Sequence, residues 1–524
     1  MQNQTAKQPA ANAQIARAAG TVMAAFILSN LVGLLAKTMT ARVFGTGIES
    51  NAFFAANRFS EILFNLVAGG ALGSAFIPVF AGLLANEERK RAWKLASGIA
   101  NLVSLVLVIL SALTMIFSRQ VVRIVLAPGF IGEEVLLTAQ LLRIQVLSSF
   151  IFGLSGLLMG VLNSHPHFLL PALAPAMYQV GWIIGIVALA PTLGIFGLAW
   201  GVVIGSLLHL LVQIPLLLRL PQRSYWVSLG LSMPEVREVG RLMAPRLLGV
   251  AVIQLNFLIN TLLASFQPEG SITAISLAFP LMIMPEAAIA QSIAIAALPT
   301  FAAQVARNKL GEMRASLSAA LRVTLLLAIP AMIGLILLRD PIVALLYQGQ
   351  EFTARSTELV SWALLWYSVG LVGHGLVEVT SRSFYALHDT RTPVVVGVGA
   401  MTLNLVFSFL FTALFNRIGW LPHGGLALAN STATLLESVL LLVLLKKRLN
   451  GLEEKRILAA LVKSLAAGSI MGILILRLGT MLAGQSLLIK TALSIITGIL
   501  SYGLMLLVMR TDEITRIKEM ILRK

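Results

Sequence analysis

Gly98-Ile-Ala-Asn-Leu-Val-Ser-Leu-Val-Leu-Val-Ile-Leu-Ser-Ala-Leu-Thr-Met-Ile-Phe117 runs through twenty residues without one ionisable side chain. Coiled as an α-helix it spans about 30 Å, the thickness of the hydrocarbon core of a bilayer. It predicts a membrane-spanning helix. Working outward, fourteen such stretches fill the chain, at 17–43, 49–85, 92–118, 134–163, 169–190, 194–219, 236–266, 270–301, 314–338, 355–385, 393–416, 424–446, 456–482 and 486–510. The 524 residues are 58% hydrophobic and only 12% charged. A soluble domain carries about 25% charged residues, so a soluble enzyme is excluded. The chain has no cysteine, which excludes disulfides, iron–sulfur clusters, thiolate zinc sites and cysteine nucleophiles.

The net charge of +17 is explained by where the basic residues fall. With the N-terminus inside, the segments on the cytoplasmic side hold 27 Lys and Arg and the opposite loops hold six. Fourteen spans with both termini cytoplasmic satisfy the positive-inside rule, and no nucleic-acid partner is needed to explain the charge. The polar, Ala- and Gln-rich leader 1–16 is expected to be disordered. The first span starts too late and runs too long for a cleaved signal peptide.

The sequence also repeats itself. Phe76-Ile-Pro-Val-Phe-Ala81 parallels Ala297-Leu-Pro-Thr-Phe-Ala302, the Gly129 loop parallels the Gly349 loop, and Pro171 parallels Pro393, all at spacings of 220–222 residues. Six spans per repeat is an even number, so two lobes of the same orientation are expected, related by an axis along the membrane normal. The predicted organisation is all-α: an N-lobe at 17–219, a cytoplasmic linker at 220–235, a C-lobe at 236–446, two additional helices within 447–510 and a cytoplasmic tail at 511–524. Two such lobes imply a cavity between them and a rocking transporter.

Several landmarks are familiar in kind. Ala41-Arg-Val-Phe-Gly-Thr-Gly-Ile-Glu-Ser-Asn-Ala-Phe-Phe54, Ala127-Pro-Gly-Phe130, Ile259-Asn-Thr-Leu-Leu-Ala-Ser265, Leu298-Pro299, the loop carrying Tyr385, Asp389, Thr392 and Pro393, and Gly424-Gly-Leu-Ala-Leu-Ala-Asn-Ser431 stand in an order that resembles the MurJ/MviN family. The resemblance covers nearly the whole chain. It implies a lipid II flippase of the multidrug/oligosaccharidyl-lipid/polysaccharide exporter superfamily, a monomeric carrier in the bacterial cytoplasmic membrane that alternates access to its two sides. Its cargo would be the undecaprenyl-pyrophosphate-linked peptidoglycan precursor, and its partners that substrate and the membrane lipids. The alternative is another lipid-linked glycan or a small amphipathic cargo. At positions where the family places cavity arginines, this chain has Asn30, Ala36, Phe64 and Pro280; at two acidic family positions it has Asn51 and Gly69.

Ionisable residues inside the spans are the candidates for function, because burying them in lipid is costly. Lys37 follows Asn30 by seven residues on one face of the first span. Arg58, Glu61 and Asn65 share a face of the second. Asn30, Lys37, Arg58, Glu61 and Asn65 form the candidate substrate site, with Lys37 and Arg58 as phosphate donors and Glu61 as counter-ion. The alternative is a structural Arg58–Glu61 pair with Lys37 snorkelling to an interface. Gly69, Gly70 and Gly73 offer a bending point or close helix packing. Glu286, between two helix-kinking prolines and Gln291, is the candidate titrating or cation-binding carboxylate. The resemblance implies a sodium site at Asn260, Asn404, Ser408 and Ser431, which lacks a carboxylate. Sodium or proton coupling is therefore open, and no cofactor is expected. His374 and Glu378 are spaced for a proton relay or a satisfied buried pair, Glu437 lies in the twelfth span, and His209 stands alone. No phosphate-binding glycine loop and no nucleophile elbow occurs, so no enzyme activity is expected.

Overall fold

A chain that crosses lipid must satisfy its backbone internally, and helices do so within one segment. The computed structural model describes residues 7–67, 71–165 and 169–511. Among them the regular structure is helical, apart from an isolated bridge between Gly349 and Phe352. Two compact units divide the chain, Met1–Glu269 and Gly270–Lys524. The first contains α1 (Lys7–Phe44), α2 (Ile48–Val67), α3 (Ala71–Ala85), α4 (Arg89–Ile116), α5 (Glu133–Asn163), α6 (Leu169–Ile184), α7 (Ile195–Leu211) and α8 (Pro234–Ser265). The second contains α9 (Ser271–Glu286), α10 (Ser292–Ala306), α11 (Leu310–Tyr347), α12 (Ala354–Val369), α13 (Leu371–Ala386), α14 (Arg391–Arg417), α15 (His423–Leu449), α16 (Glu454–Met481) and α17 (Leu487–Val508).

Among the described residues twelve helical segments are long and apolar enough to cross a membrane, thirteen when α12 and α13, bent by 43° at Gly370, count as one. The expected fourteen is not reached because of the stretch 49–85. It comprises α2 and α3 on either side of residues 68–70, which lie outside the described residues together with the expected bending glycines Gly69 and Gly70. The polar residues Glu49, Asn51, Asn57, Arg58, Glu61 and Asn65 lower the hydropathy of α2, so the candidate substrate residues themselves weaken the span signal.

The repeat survives as helix boundaries. α4 and α11 begin at Arg89 and Leu310, α5 and α12 at Glu133 and Ala354, α6 and α14 at Leu169 and Arg391, always 221 or 222 residues apart. Pro78 and Pro299 lie inside the equivalent α3 and α10. Where α2 gives way to α3, the second repeat has a π-helical turn, Ala287–Gln291, between α9 and α10.

Two boundaries differ from the sequence reading. Helix α1 starts at Lys7, so most of the leader expected to be disordered is helical; Ala10, Ala11, Ala13 and Ala16 give it high helix propensity. The unit boundary falls after α8 rather than within 220–235. Val236 and Val239 of α8 sit in the core formed by Phe76, Phe80, Trp93, Leu95 and Leu158. Ser265 at its other end accepts a hydrogen bond from the Gly129 amide at 3.0 Å. Only glycine fits there, since a Cβ on Gly129 would lie 2.3 Å from the Ser265 carbonyl oxygen. The segment 220–235 is tied down as well, with Asn101 Nδ2 donating to the carbonyls of Trp226 and Ser228 at 2.8 Å each. In the second unit α16 and α17 pack on α11 through Leu326, Leu338, Met471, Ile475 and Leu506, and Tyr502 donates its hydroxyl to the Leu326 carbonyl at 2.7 Å.

Candidate functional site

The polar face of α2 is the centre of the site in the first unit. Arg58 Nη1 donates to Glu61 Oε2 at 2.6 Å, one turn along the helix. Asn57 Nδ2 donates to the other carboxylate oxygen, Oε1, at 2.9 Å. Half-buried Lys37 on α1 lies within Coulombic reach of both Glu61 and Arg58. The Arg58 guanidinium also stands over the Phe257 ring of α8, 5.3 Å from its centre, a cation–π contact. The expected Arg58–Glu61 pair therefore forms, and Lys37 belongs to the same charged group. Asn65 is half-buried one turn beyond Glu61, and Asn30 is exposed on α1, two turns before Lys37.

Beneath this face lies an aromatic wall. Phe64 packs on Phe152 with ring centres 4.5 Å apart, Phe152 on Tyr178 at 4.9 Å, and Trp182 on Phe53 at 5.3 Å. Phe64 and fully buried Ala36 thus fill their positions with apolar packing. Sequence reading missed Asn57, Phe257 and Tyr178. Asn57 was within reach of it, because it stands i−4 from Glu61. Nothing in the sequence pairs Phe257 with Arg58 across the length of the unit.

The expected ion-coupling residues have different hydrogen-bond partners. In the first unit Asn260 Nδ2 donates to Asn256 Oδ1 at 3.4 Å on buried turns of α8. In the second unit the Ser408 hydroxyl donates to Asn404 Oδ1 at 3.2 Å, whereas the Ser431 hydroxyl donates to the Trp366 carbonyl at 2.6 Å. Glu286 is buried; its Oε2 accepts from Gln291 at 3.3 Å across the π-helical turn, and its Oε1 has no hydrogen-bond partner. His374 and Glu378 do not pair with each other. His374 Nε2 meets Asn430 Oδ1 at 3.2 Å, and Glu378 meets Arg382 at 3.6 Å, because neighbours on α15 and one turn along α13 offer better geometry. His209 is not alone either: its Nδ1 lies 2.6 Å from the Ser155 hydroxyl, which also accepts from Gln213 Nε2 at 2.8 Å. Glu437 is half-buried beside Gly397. Among the described residues no group of three or more His, Cys, Asp or Glu side chains is placed to hold a metal ion.

Charged groups lining apolar helices in a two-fold repeated α-bundle describe a carrier without specifying which one. Residues 40–495 match the profile of the family described as lipid II flippase MurJ. The chain belongs to the lipid II flippase MurJ family. It is 32% identical over 439 residues to the lipid II flippase MurJ of Burkholderia cenocepacia, covering 82% of this chain and 84% of that one. The probable lipid II flippase MurJ of Bdellovibrio bacteriovorus is 28% identical over 502 residues, 94% of each chain. The solved structure of a lipid II flippase MurJ in an inward closed conformation superposes with a TM-score of 0.81 at 26% identity, covering 94% of this chain and 99% of that one. Family membership and the apolar helices make this an integral protein of the bacterial inner membrane.

Proposed function

We propose that this chain carries lipid II from the inner to the outer leaflet by alternating access, moving its cargo without chemical conversion. The observation that carries this reading is the family match over residues 40–495, which includes both repeats. The α2 face supports it physically. Arginine grips phosphate through paired N–H donors and lysine adds a point charge, so Arg58 and Lys37 suit the pyrophosphate of a polyprenyl carrier. The excess of basic residues in one set of loops supports cytoplasmic termini. The units Met1–Glu269 and Gly270–Lys524 act as the rocking bodies, and the helices within 447–510 belong to the second. The chain works as a monomer, with membrane lipids around it.

A second cargo, another lipid-linked glycan, is favoured by Asn30, Ala36, Phe64 and Pro280 at positions where the family resemblance implies arginines. Expressing the chain in a bacterium depleted of its own lipid II flippase separates the two. Restored growth, lost again in Lys37→Ala/Arg58→Ala, is the outcome expected for lipid II. A wild-type chain that inserts in the membrane and restores no growth rules that cargo out. The neutral oxygens of Asn260, Asn404, Ser408 and Ser431 make a weak sodium site, so we assign the drive to the membrane potential, with Glu286 as a proton-responsive modulator.

A further inference from the structure

Glu61 accepts from two donors on its own helix and faces Lys37 from α1, all within the first unit. One carboxylate thus occupies the donors that an anionic cargo would need. It is also the outer member of the pair: the Glu61 side chain is 42% exposed and that of Arg58 only 22%. A partly exposed ion pair is held less firmly than one enclosed on all sides. Arg58 retains donor capacity behind it. A guanidinium has five N–H donors, and its Nε is buried without a hydrogen-bond partner. The cation–π contact with Phe257 helps to hold the guanidinium in place.

We propose that Glu61 is an exchangeable internal anion, which neutralises Arg58 and Lys37 while the site is empty and is displaced when a diphosphate arrives. This inference rests on the reading of the cargo as a polyprenyl diphosphate. A monovalent carboxylate on a partly exposed pair yields to a group of higher charge that satisfies Arg58 at two positions and reaches Lys37 as well. Because Glu61 is tethered one turn away, it returns when the cargo leaves, and its return speeds release. The same carboxylate thus lowers affinity for the diphosphate and raises turnover.

The test uses the full-length protein in lipid nanodiscs with farnesyl diphosphate as the charged probe and farnesol as its uncharged counterpart. Glu61→Gln preserves shape and removes charge. It is expected to bind farnesyl diphosphate about tenfold more tightly, to bind farnesol as before, and to flip lipid II more slowly in vesicles. Glu61→Asp, which keeps the charge on a shorter side chain, is expected to bind farnesyl diphosphate with an affinity between those of wild type and Glu61→Gln, and Glu61→Ser repeats the neutral expectation with a different side chain. Wild-type binding of farnesyl diphosphate that is unchanged in both neutral variants overturns the exchange and leaves the cargo reading standing. Weaker binding in both neutral variants overturns it too, because Glu61 would then serve only to position Arg58. Absence of farnesyl diphosphate binding in wild type and variants alike overturns both the exchange and the diphosphate reading.

Discussion

Asp389 shows how one side chain sets the start of a helix at the membrane surface. Its Oδ1 accepts from the Thr392 amide at 3.0 Å and its Oδ2 from the Thr392 hydroxyl at 2.8 Å, while Arg448 lies 3.9 Å away. These contacts stabilise the charged form: the Thr392 amide first, then its hydroxyl, then the Arg448 charge hold the carboxyl below the usual carboxylate range. A depressed pKa gives stability that is complete above the unfolded value of about 3.9 and is lost as pH falls through the folded value. Asp389→Ala removes a helix-capping acceptor and is expected to destabilise the protein by about 1 kcal/mol at pH 7. Thermal midpoints in detergent, compared between wild type and variant at pH 7 and below pH 4, measure this. The gap should narrow in acid, and a gap independent of pH would refute the role of the charge.

Between α6 and α7 the helices meet backbone to backbone. Gly181 and Gly185 face Gly197, Gly201 and Gly205, each set spaced by four residues, the close-packing arrangement of helices in lipid. A Cβ on Gly181 would lie 2.1 Å from Gly205 Cα, and one on Gly201 would lie 2.8 Å from Gly185 Cα. Gly201→Val therefore forces the pair apart and is expected to cost about 1–3 kcal/mol, as overpacking does. Loss of a monodisperse peak in size-exclusion chromatography, or a lower thermal midpoint, checks it; an unaltered midpoint would refute the contact. The repeat and most spans were legible in the sequence, because lipid imposes length and apolarity on each segment by itself; the seam, although its glycines recur every fourth position, was missed. The Arg58–Glu61 pair was readable for the same local reason, being one turn apart on one helix. The partners of Arg58 on α8, of His374 on α15 and of Ser431 on α12 were not. Those contacts join helices far apart in the chain, where a one-helix periodicity has no register to offer. The spacing of His374 and Glu378 even misled, since a shared face brings two side chains near without making them each other's best partner.

At the scale of the whole carrier, the question is what energises a cycle that moves a charged headgroup. Each elementary charge crossing the membrane is worth about 2.3 kcal/mol per 100 mV. Lys37 and Arg58 outnumber Glu61 in the α2 group, so an empty site with that carboxylate in place still carries net positive charge. A potential negative inside draws such a site back toward the cytoplasm, and it helps expel an anionic headgroup on the outward stroke. Sodium has less to act on. Asn260, Asn404, Ser408 and Ser431 offer the ion only neutral oxygens, with no carboxylate among them to balance its charge. Flipping in vesicles, with voltage and sodium gradient set independently by ionophores, is therefore expected to follow the voltage. Lys37→Ala, which removes one of the two positive charges, should make the rate less steeply dependent on voltage. Transport that continues at zero voltage and stops without a sodium gradient would transfer the drive to the neutral-oxygen residues and leave Lys37 and Arg58 as binding groups alone.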